Sequence, residues 1–96
     1  MTAPYRFFQE TADEIEHERS WYRQRSLTAE SAFLRELDHA LAAVADAPDR
    51  WPRYIASTRR YVFPTFPFSP VYFVEIDAVV VVSLASEGGV LPPSPP

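Results

Sequence analysis

Residues 71–84 read VYFVEIDAVVVVSL and carry the clearest structural signal in this chain of 96 residues. β-branched and aromatic residues, which favour strands, fill two runs at 71–76 and 79–84. Asp77 and Ala78 lie between the runs and suit a tight turn. The stretch therefore predicts a β-hairpin made of the last two strands of the fold.

Two further strands are predicted before this hairpin. Residues 61–63 (YVF) have strand composition, but Pro64, Pro67 and Pro70 separate them from the hairpin. Because proline has no backbone N–H to donate, that connection should be long or irregular. The aromatic stretch 5–8 (YRFF) predicts a short strand at the beginning of the chain.

Between these strands, the sequence predicts two helices. The first covers about residues 10–25, which contain no proline or glycine. Thr11 and Glu14 have the spacing of a capping box, and the alternative is a helix that begins a turn earlier. The second covers about 28–47, after hydroxyl residues that can cap it, and ends before Pro48. Apolar residues recur along it at helical spacing: Phe33, Leu37, Ala40, Leu41 and Val44. With a short link and facing apolar stripes, the two helices should form an antiparallel hairpin.

The order of elements predicts an α+β fold. It has a short N-terminal strand, an antiparallel helical hairpin and a three-stranded antiparallel meander, with the helices packed on one face of the sheet. A single domain is expected over residues 1–87. The Gly/Pro-rich residues 88–96 are expected to form a mobile tail, because such a segment cannot join a helix or a sheet.

Composition excludes several classes of protein. Hydrophobic residues make up 47% of the chain, which excludes a disordered tail as the main interpretation. There is no cysteine, so disulfides, thiolate chemistry and a cysteine-based zinc site are excluded. All nine basic residues are arginine, and thirteen carboxylates bring the net charge to −4, which disfavours broad nucleic-acid binding. The longest apolar run, 78–84, is too short to span a bilayer, and acidic residues from Glu10 onward argue against a signal peptide. A cytoplasmic location is expected, with no membrane contact.

Over residues 5 to 85, an ordered series of short motifs resembles the RelE/ParE superfamily, bacterial toxins of type II toxin–antitoxin systems. The resemblance is greatest to the ParE-like, plasmid-stabilisation branch. In chain order, the motifs are Tyr5-Arg6-Phe7, Trp21-Tyr22, Phe33-Leu34 with Leu37, Pro48, Trp51-Pro52, Arg59-Arg60, Phe66-Pro67-Phe68-Ser69, Val71-Tyr72, and Asp77 before the valines 79–82.

The resemblance implies a growth-inhibiting toxin that binds DNA gyrase and is neutralised by a cognate antitoxin. Two alternatives stay open: a RelE-like endoribonuclease that cuts mRNA on the ribosome, and an inactive homologue that retains only antitoxin binding. Relatives commonly carry a histidine, a basic pair and a tyrosine after the last strand, whereas residues 86–91 here read SEGGVL. This departure, with the absence of lysine, disfavours a ribonuclease and motivates the inactive alternative.

Arg59 and Arg60 are the candidate target-binding residues, because guanidinium groups bind phosphate bidentately. The alternative is that one of them binds backbone carbonyls. Arginine stays protonated and is a poor proton shuttle, so no catalytic residue is assigned.

A group of aromatic residues has two interpretations, either the hydrophobic core or an exposed patch that accepts an antitoxin segment. Its members are Phe63, Phe66, Phe68, Tyr72 and Phe73. His17 and His39 are interpreted as surface residues amid carboxylates that point apart, so neither a metal site nor a cofactor is expected.

Overall fold

The computed structural model describes residues 4–86. The elements are strand β1 (Tyr5–Phe7), helices α1 (Gln9–Arg25) and α2 (Leu27–Asp46), and strands β2 (Arg59–Arg60), β3 (Phe68–Glu75) and β4 (Ala78–Ser86). Their order and the packing of the helices against the sheet confirm the predicted α+β fold. The predicted tail, residues 88–96, lies outside the described residues.

A single residue, Ser26, joins the two helices. Its backbone is extended (φ −170°, ψ 131°), and its N–H donates to the carbonyl of Tyr22, at 2.9 Å. Its hydroxyl accepts from the N–H of Ala29, at 3.1 Å. Ser26 therefore ends α1 and caps α2, as a hydroxyl residue was predicted to do, and the helices fold back on each other as an antiparallel hairpin.

The predicted capping box at Thr11 and Glu14 is wrong, because α1 begins earlier, at Gln9. Thr11 is instead wholly buried and its hydroxyl donates to the carbonyl of Val81, at 3.2 Å. The Glu14 carboxylate accepts from the N–H of Leu84, at 2.8 Å. β1 pairs with residues 79–81 of β4. Thr11 bonds to β4 at the last residue of that pairing and Glu14 bonds three residues beyond it, so both side chains hold α1 against β4.

The four strands form one sheet in the order β1-β4-β3-β2. β1 runs parallel to β4, and the β2–β3 and β3–β4 pairs are antiparallel. The predicted hairpin is confirmed, with Glu75 opposite Ala78 and the turn at Ile76 and Asp77, one residue earlier than expected. The meander is therefore present, and the parallel N-terminal strand completes the sheet beside β4.

The predicted strand at 61–63 is displaced. The regular pairing covers only Arg59 and Arg60, opposite Tyr72 and Val71. Residues 61–63 still run beside β3, since the N–H of Tyr61 donates to Pro70 and that of Phe63 donates to Phe68, at 3.2 and 2.9 Å. Pro70 has no N–H to return, and this missing bond interrupts the ladder where the strand was predicted.

The hydrophobic core lies between the helices and one face of the sheet. Phe33 is fully buried at its centre, and its ring centroid lies 5.4 Å from that of Tyr22 and 5.8 Å from those of both Phe66 and Phe68. We call the buried set the aromatic core: Tyr22, Phe33, Phe63, Phe68 and Tyr72, with Leu37, Leu41, Val44, Val79, Val81 and Leu84 around them. Neither helix in the described part of the chain is long and apolar enough to cross a membrane.

Candidate functional site

The segment 49–60, which follows α2 and includes β2, holds four of the nine arginines, and we call it the arginine loop. Its beginning is anchored by Trp51, whose indole N–H donates to the carbonyl of Ala43, at 3.4 Å. The Trp51 ring also packs edge-on against Tyr61, with centroids 4.7 Å apart. The guanidinium of Arg50 lies 5.1 Å from the Trp51 ring centroid, within range of a cation–π interaction.

The middle of the arginine loop is a narrow turn. Arg53 forms an isolated antiparallel bridge with Arg59, and the N–H of Tyr54 donates to the carbonyl of Thr58, at 2.9 Å. The N–H and hydroxyl of Thr58 both donate to the carbonyl of Ile55, at 3.0 and 2.5 Å. Ala56 has φ 54°, a left-handed conformation that costs a non-glycine residue free energy. The turn is thus held by several hydrogen bonds around one strained residue.

The two predicted target-binding arginines are half-buried and partly engaged. Arg59 donates from Nη1 to the carbonyl of Trp51, at 2.6 Å, so it binds a backbone carbonyl as the structural alternative proposed. Arg60 stacks over the ring of Tyr54, with its guanidinium carbon 4.7 Å from the centroid. Both side chains therefore support the shape of the loop.

Charge is strongly segregated along the chain. The arginine loop carries four arginines and one carboxylate, Asp49, whereas the rest of the chain has five arginines and twelve carboxylates. The loop is therefore a local positive region on an acidic molecule, and its charge is opposite in sign to the net charge of −4. Sequence analysis singled out only the Arg59-Arg60 pair, although the density of arginine over 49–60 was a readable signal for the whole loop.

A groove of about 290 Å³ separates the arginine loop from the end of β3. Its lining residues come from both sides and are Asp49, Arg53, Ser57, Thr58, Arg59, Tyr72, Phe73 and Val74. At its inner end the Tyr72 hydroxyl donates to the carbonyl of Pro48, at 2.6 Å. Burial is the main cause that raises the pKa of Tyr72 to about 12. This phenol stays protonated near neutral pH.

The five aromatic candidates separate into different places. Phe63, Phe68 and Tyr72 belong to the aromatic core, so the interpretation of an exposed patch is wrong for these three in the isolated chain. Phe66 is half-buried, and its ring packs against Tyr22 at 5.0 Å on the helical side. Phe73 alternates with Tyr72 and faces the other side of the sheet, 6.4 Å from Phe8. Contact of a partner with Phe66 or Phe73 stays a prediction.

An apolar cleft that the sequence did not single out lies beside β1, at the edge of the sheet. It measures about 290 Å³, and apolar side chains of β1 and both helices dominate its lining: Tyr5, Phe7, Ala12, Ile15, Leu37 and Leu41, with Asp38. Tyr5 and Phe7 are each more than a third exposed. The signal in the sequence was the aromatic composition of 5–8, interpreted there only as a strand.

The helical hairpin is held by a charged network. The Glu30 carboxylate, largely buried, accepts from Nε of Arg19 at 2.7 Å and from Nε of Arg23 at 3.1 Å. Hydrogen bonding from Arg19 is the main cause that lowers the pKa of Glu30, and Arg23 adds to it. Glu16 pairs with both arginines at 3.6 and 3.7 Å. Arg19 and Arg23 of α1 thus hold Glu30 of α2 by paired charges.

His17 and His39 are exposed on different helices, which confirms that they are surface residues. Among residues 4–86, no three His, Cys, Asp or Glu side chains are arranged to hold a metal ion. The arginine loop presents guanidinium and hydroxyl groups, which can donate hydrogen bonds to anions.

No known family profile matches this chain, and no curated protein matches its sequence. A chain from the solved structure of the chromosomal ParDE TA system from P. aeruginosa is similar in structure, with a TM-score of 0.72. The match covers 90% of this chain and 97% of that chain, at 11% sequence identity. At this identity the likeness defines the fold: the chain has the fold of a ParDE TA system chain along nearly its whole length.

Proposed function

We propose that this protein is the toxin of a bacterial type II toxin–antitoxin module, ParE-like, which inhibits growth by binding a cellular target and is neutralised by a cognate antitoxin. The observation that carries the proposal is the shared fold over 90% of this chain and 97% of the ParDE TA system chain. The ordered motifs from Tyr5-Arg6-Phe7 to the valine run 79–82 support the same assignment independently of the structure.

The proposed target is DNA gyrase, and the proposed mode of action is binding in the cytoplasm without catalysis. Cleavage of RNA would need a group that accepts a proton from the 2′-hydroxyl and another that protonates the leaving oxygen. The groove offers the guanidinium groups of Arg53 and Arg59, a residue type that is a poor proton shuttle, and Tyr72, whose hydroxyl is bonded to Pro48 and has its pKa raised to about 12. These groups suit binding better than proton transfer, which favours a binding inhibitor over the RelE-like ribonuclease.

The arginine loop is the proposed contact with the target, through Arg59 and Arg60 and the exposed residues between Arg53 and them. Antitoxin binding is proposed at apolar surfaces apart from this loop. Phe66 contributes to one cleft, of about 360 Å³, together with Trp21 and Ala29. The cleft beside β1 offers a second apolar surface, and aromatic side chains in such clefts commonly anchor a bound segment.

Induced expression in a bacterium tests the proposal, with growth and a DNA-damage reporter scored together. Growth arrest with DNA damage, relieved by co-expression of the neighbouring upstream gene, is the expected result. Arrest with cleaved transcripts and no DNA damage would transfer the assignment to the ribonuclease. Normal growth with soluble protein that copurifies with the neighbouring gene product would assign the inactive homologue.

A matched pair of charge-reversal variants locates the target contact. Arg60→Glu changes the arginine loop, whereas Arg35→Glu makes the same change of net charge on an exposed position of α2. Arrest should be lost for Arg60→Glu and kept for Arg35→Glu, with circular dichroism showing that both variants are folded. Equal toxicity of the two variants would remove Arg60 from the contact.

A further inference from the structure

The groove beside the arginine loop has two chemically different walls. Arg53, Ser57 and Arg59 line it on the side of the loop, and Phe73 and Val74 of β3 line it on the other side. Its volume of about 290 Å³ admits a few side chains of a bound segment and is too small for a folded partner. The occupant should therefore be a chain segment that presents both polar and apolar groups.

The floor of the groove includes an open strand edge. β2 pairs with β3 only as far as Tyr72, opposite Arg59, while β3 continues to Glu75. The carbonyls of Phe68 and Pro70 face β2, since they accept from Phe63 and Tyr61. By the alternation of backbone groups along a strand, the N–H and carbonyl of Val74 point to the same edge. No strand within residues 4–86 pairs with β3 there.

The chain that precedes β2 forms a closed turn and, within residues 4–86, does not pair with this edge. The turn bonds of Tyr54, Ile55 and Thr58 close the loop on itself, and the left-handed Ala56 lies at its tip. A segment in extended conformation can therefore add to β3 at Val74, as in recognition by strand addition. Main-chain hydrogen bonds of this kind select a polypeptide over other ligands.

The charges that face the groove favour a carboxylate-bearing segment. Arg53 is exposed and makes no ion pair within residues 4–86, and Arg59 is oriented by its bond to the Trp51 carbonyl. Asp49 also lines the groove and reduces the positive charge, while Arg50 and Arg60 in the same loop add to it. The loop as a whole carries four arginines against one carboxylate. Glutamate or aspartate side chains of a bound segment can form charge-assisted hydrogen bonds with Arg53 and Arg59.

The acidic remainder of the molecule disfavours a nucleic acid in the same place. A phosphate backbone carries closely spaced charges beyond any short groove, and it would extend over a surface with five arginines and twelve carboxylates. Charges are screened over about 8 Å at physiological ionic strength, so a short segment held in the groove interacts mainly with the arginine loop.

We infer that this groove binds an extended acidic segment of a protein partner, which pairs with the open edge of β3 at Val74 and places carboxylates against Arg53 and Arg59. The inference rests on the proposed function, because it names the chemistry of the partner at the arginine loop.

Binding of defined probes to the full chain tests the inference. The probe is a short peptide of alternating glutamate and valine, compared with a peptide of alternating lysine and valine and with a single-stranded oligouridylate. The expected result is saturable binding of the glutamate peptide alone. Arg53→Glu should weaken it by about ten-fold or more, and Arg35→Glu, with the same change of net charge, should leave it within about two-fold.

Amide hydrogen exchange gives a second readout, which does not depend on a variant. Added glutamate peptide should slow exchange at the Val74 N–H, with little change at the amides of α1 that face solvent. Equal weakening by Arg53→Glu and Arg35→Glu, binding of oligouridylate in preference to the peptide, or unchanged exchange at Val74 would each overturn the inference.

Growth arrest on induction separates this inference from the proposed function. A chain that arrests growth but does not bind the glutamate peptide keeps the toxin assignment and loses the inferred partner chemistry. A harmless chain that binds the peptide through Arg53 and Val74 keeps the groove assignment and loses the toxin assignment.

Discussion

The sequence offered two candidate sites, a group of five aromatic residues between 63 and 73 and the pair Arg59-Arg60 of the arginine loop, and the fold treats them in opposite ways. Three of the five aromatic candidates are buried between the helices and the sheet, where Phe63 is 4% and Tyr72 0% exposed. The arginine loop stays at the surface, with Ile55 66% exposed at its turn. A cluster of similar residues in a sequence thus marks a surface only when its members cannot be buried together.

The physical reason lies in what each side chain loses on leaving water. Burial of an aromatic side chain is favourable by about 2–3 kcal/mol, so rings that can reach the core do so. A guanidinium cannot be buried without an anionic partner, and the arginine loop supplies one carboxylate for four arginines. Tyr72 connects the two regions, since its ring packs in the core and its hydroxyl bonds to the carbonyl of Pro48, the residue just before the loop.

The largest effect on stability is expected in the aromatic core. Phe33→Ala should lower the free energy of unfolding by about 3–5 kcal/mol, because Phe33 is fully buried among four aromatic rings. Urea unfolding followed by circular dichroism measures the change. Leu27→Ala on the same helix is the control, since Leu27 is 71% exposed and should change stability by only about 0.5 kcal/mol. Similar losses for the two variants would contradict the placement of the core.

The connection between the two regions is tested at Tyr72. Tyr72→Phe keeps the ring but removes the hydrogen bond to Pro48, and it should cost about 1–2 kcal/mol at neutral pH. Tyr5→Phe, at an exposed position of β1, should have little effect in the same urea measurement. An unchanged free energy of unfolding for Tyr72→Phe would show that the hydroxyl does not hold the loop to the core.

The pH dependence at Tyr72 provides a separate prediction. Its pKa is raised from 10.0 to about 12 in the folded chain, so the unfolded chain releases this proton first. The contribution to stability is therefore complete below pH 10 and is lost as the pH rises towards 12. Unfolding experiments over this range should show a loss for the wild-type chain that is smaller in Tyr72→Phe. Parallel curves for the two proteins would refute the shift.

A smaller effect concerns the charged network of the helical hairpin. The pKa of Glu30 is lowered in the folded chain, chiefly by hydrogen bonding from Arg19 and then from Arg23. Its contribution is therefore present above the ordinary carboxyl pKa and is lost as the pH falls through the folded-state value. Glu30→Gln should lower the melting temperature at neutral pH, and the difference from wild type should shrink in acid. Glu10→Gln, an exposed change in the same helical hairpin, should show no such convergence.

The smallest effect on stability is expected in the turn of the arginine loop. Ala56 has φ 54°, so Ala56→Gly relieves a left-handed alanine and should raise stability by less than about 1 kcal/mol. Ala42→Gly, at an exposed position inside α2, should lower stability by about 0.5–1 kcal/mol instead. Urea unfolding of both variants measures the pair. A loss of stability for Ala56→Gly as large as that for Ala42→Gly would mean that the turn is not strained at this residue.

Much of the fold could be predicted because periodicity is a local property of the sequence. The apolar stripe through Phe33 and Leu37 identified α2, and the runs 71–76 and 79–84 identified β3 and β4 within one or two residues at most boundaries. The errors occurred where tertiary contacts outweigh local preference. Thr11 and Glu14 bond to β4 rather than to their own helix, and Pro70 displaces the third strand.

The candidate site was only partly predictable. Arg59 and Arg60 were identified from their place in a family motif, whereas Arg53, Ser57 and Val74 join the groove through the bridge to Arg59 and because β2 begins only at Arg59. These positions depend on register and on the turn at Ala56. The spacing of residues along the sequence does not show which side chains face each other across the groove.

The sequence by itself determined the order of elements, the aromatic composition of the core and the concentration of arginine over 49–60, because all three follow from residue identity and spacing along the chain. Only the tertiary structure decided which aromatic rings are buried and that, among residues 4–86, no strand pairs with β3 at Val74 on the β2 side. Burial and strand pairing depend on residues far apart in sequence, such as Phe33 against Phe68 and Arg59 against Tyr72. The physical reason is that hydrophobic burial and backbone hydrogen bonding reward contacts in space, which local propensity does not encode.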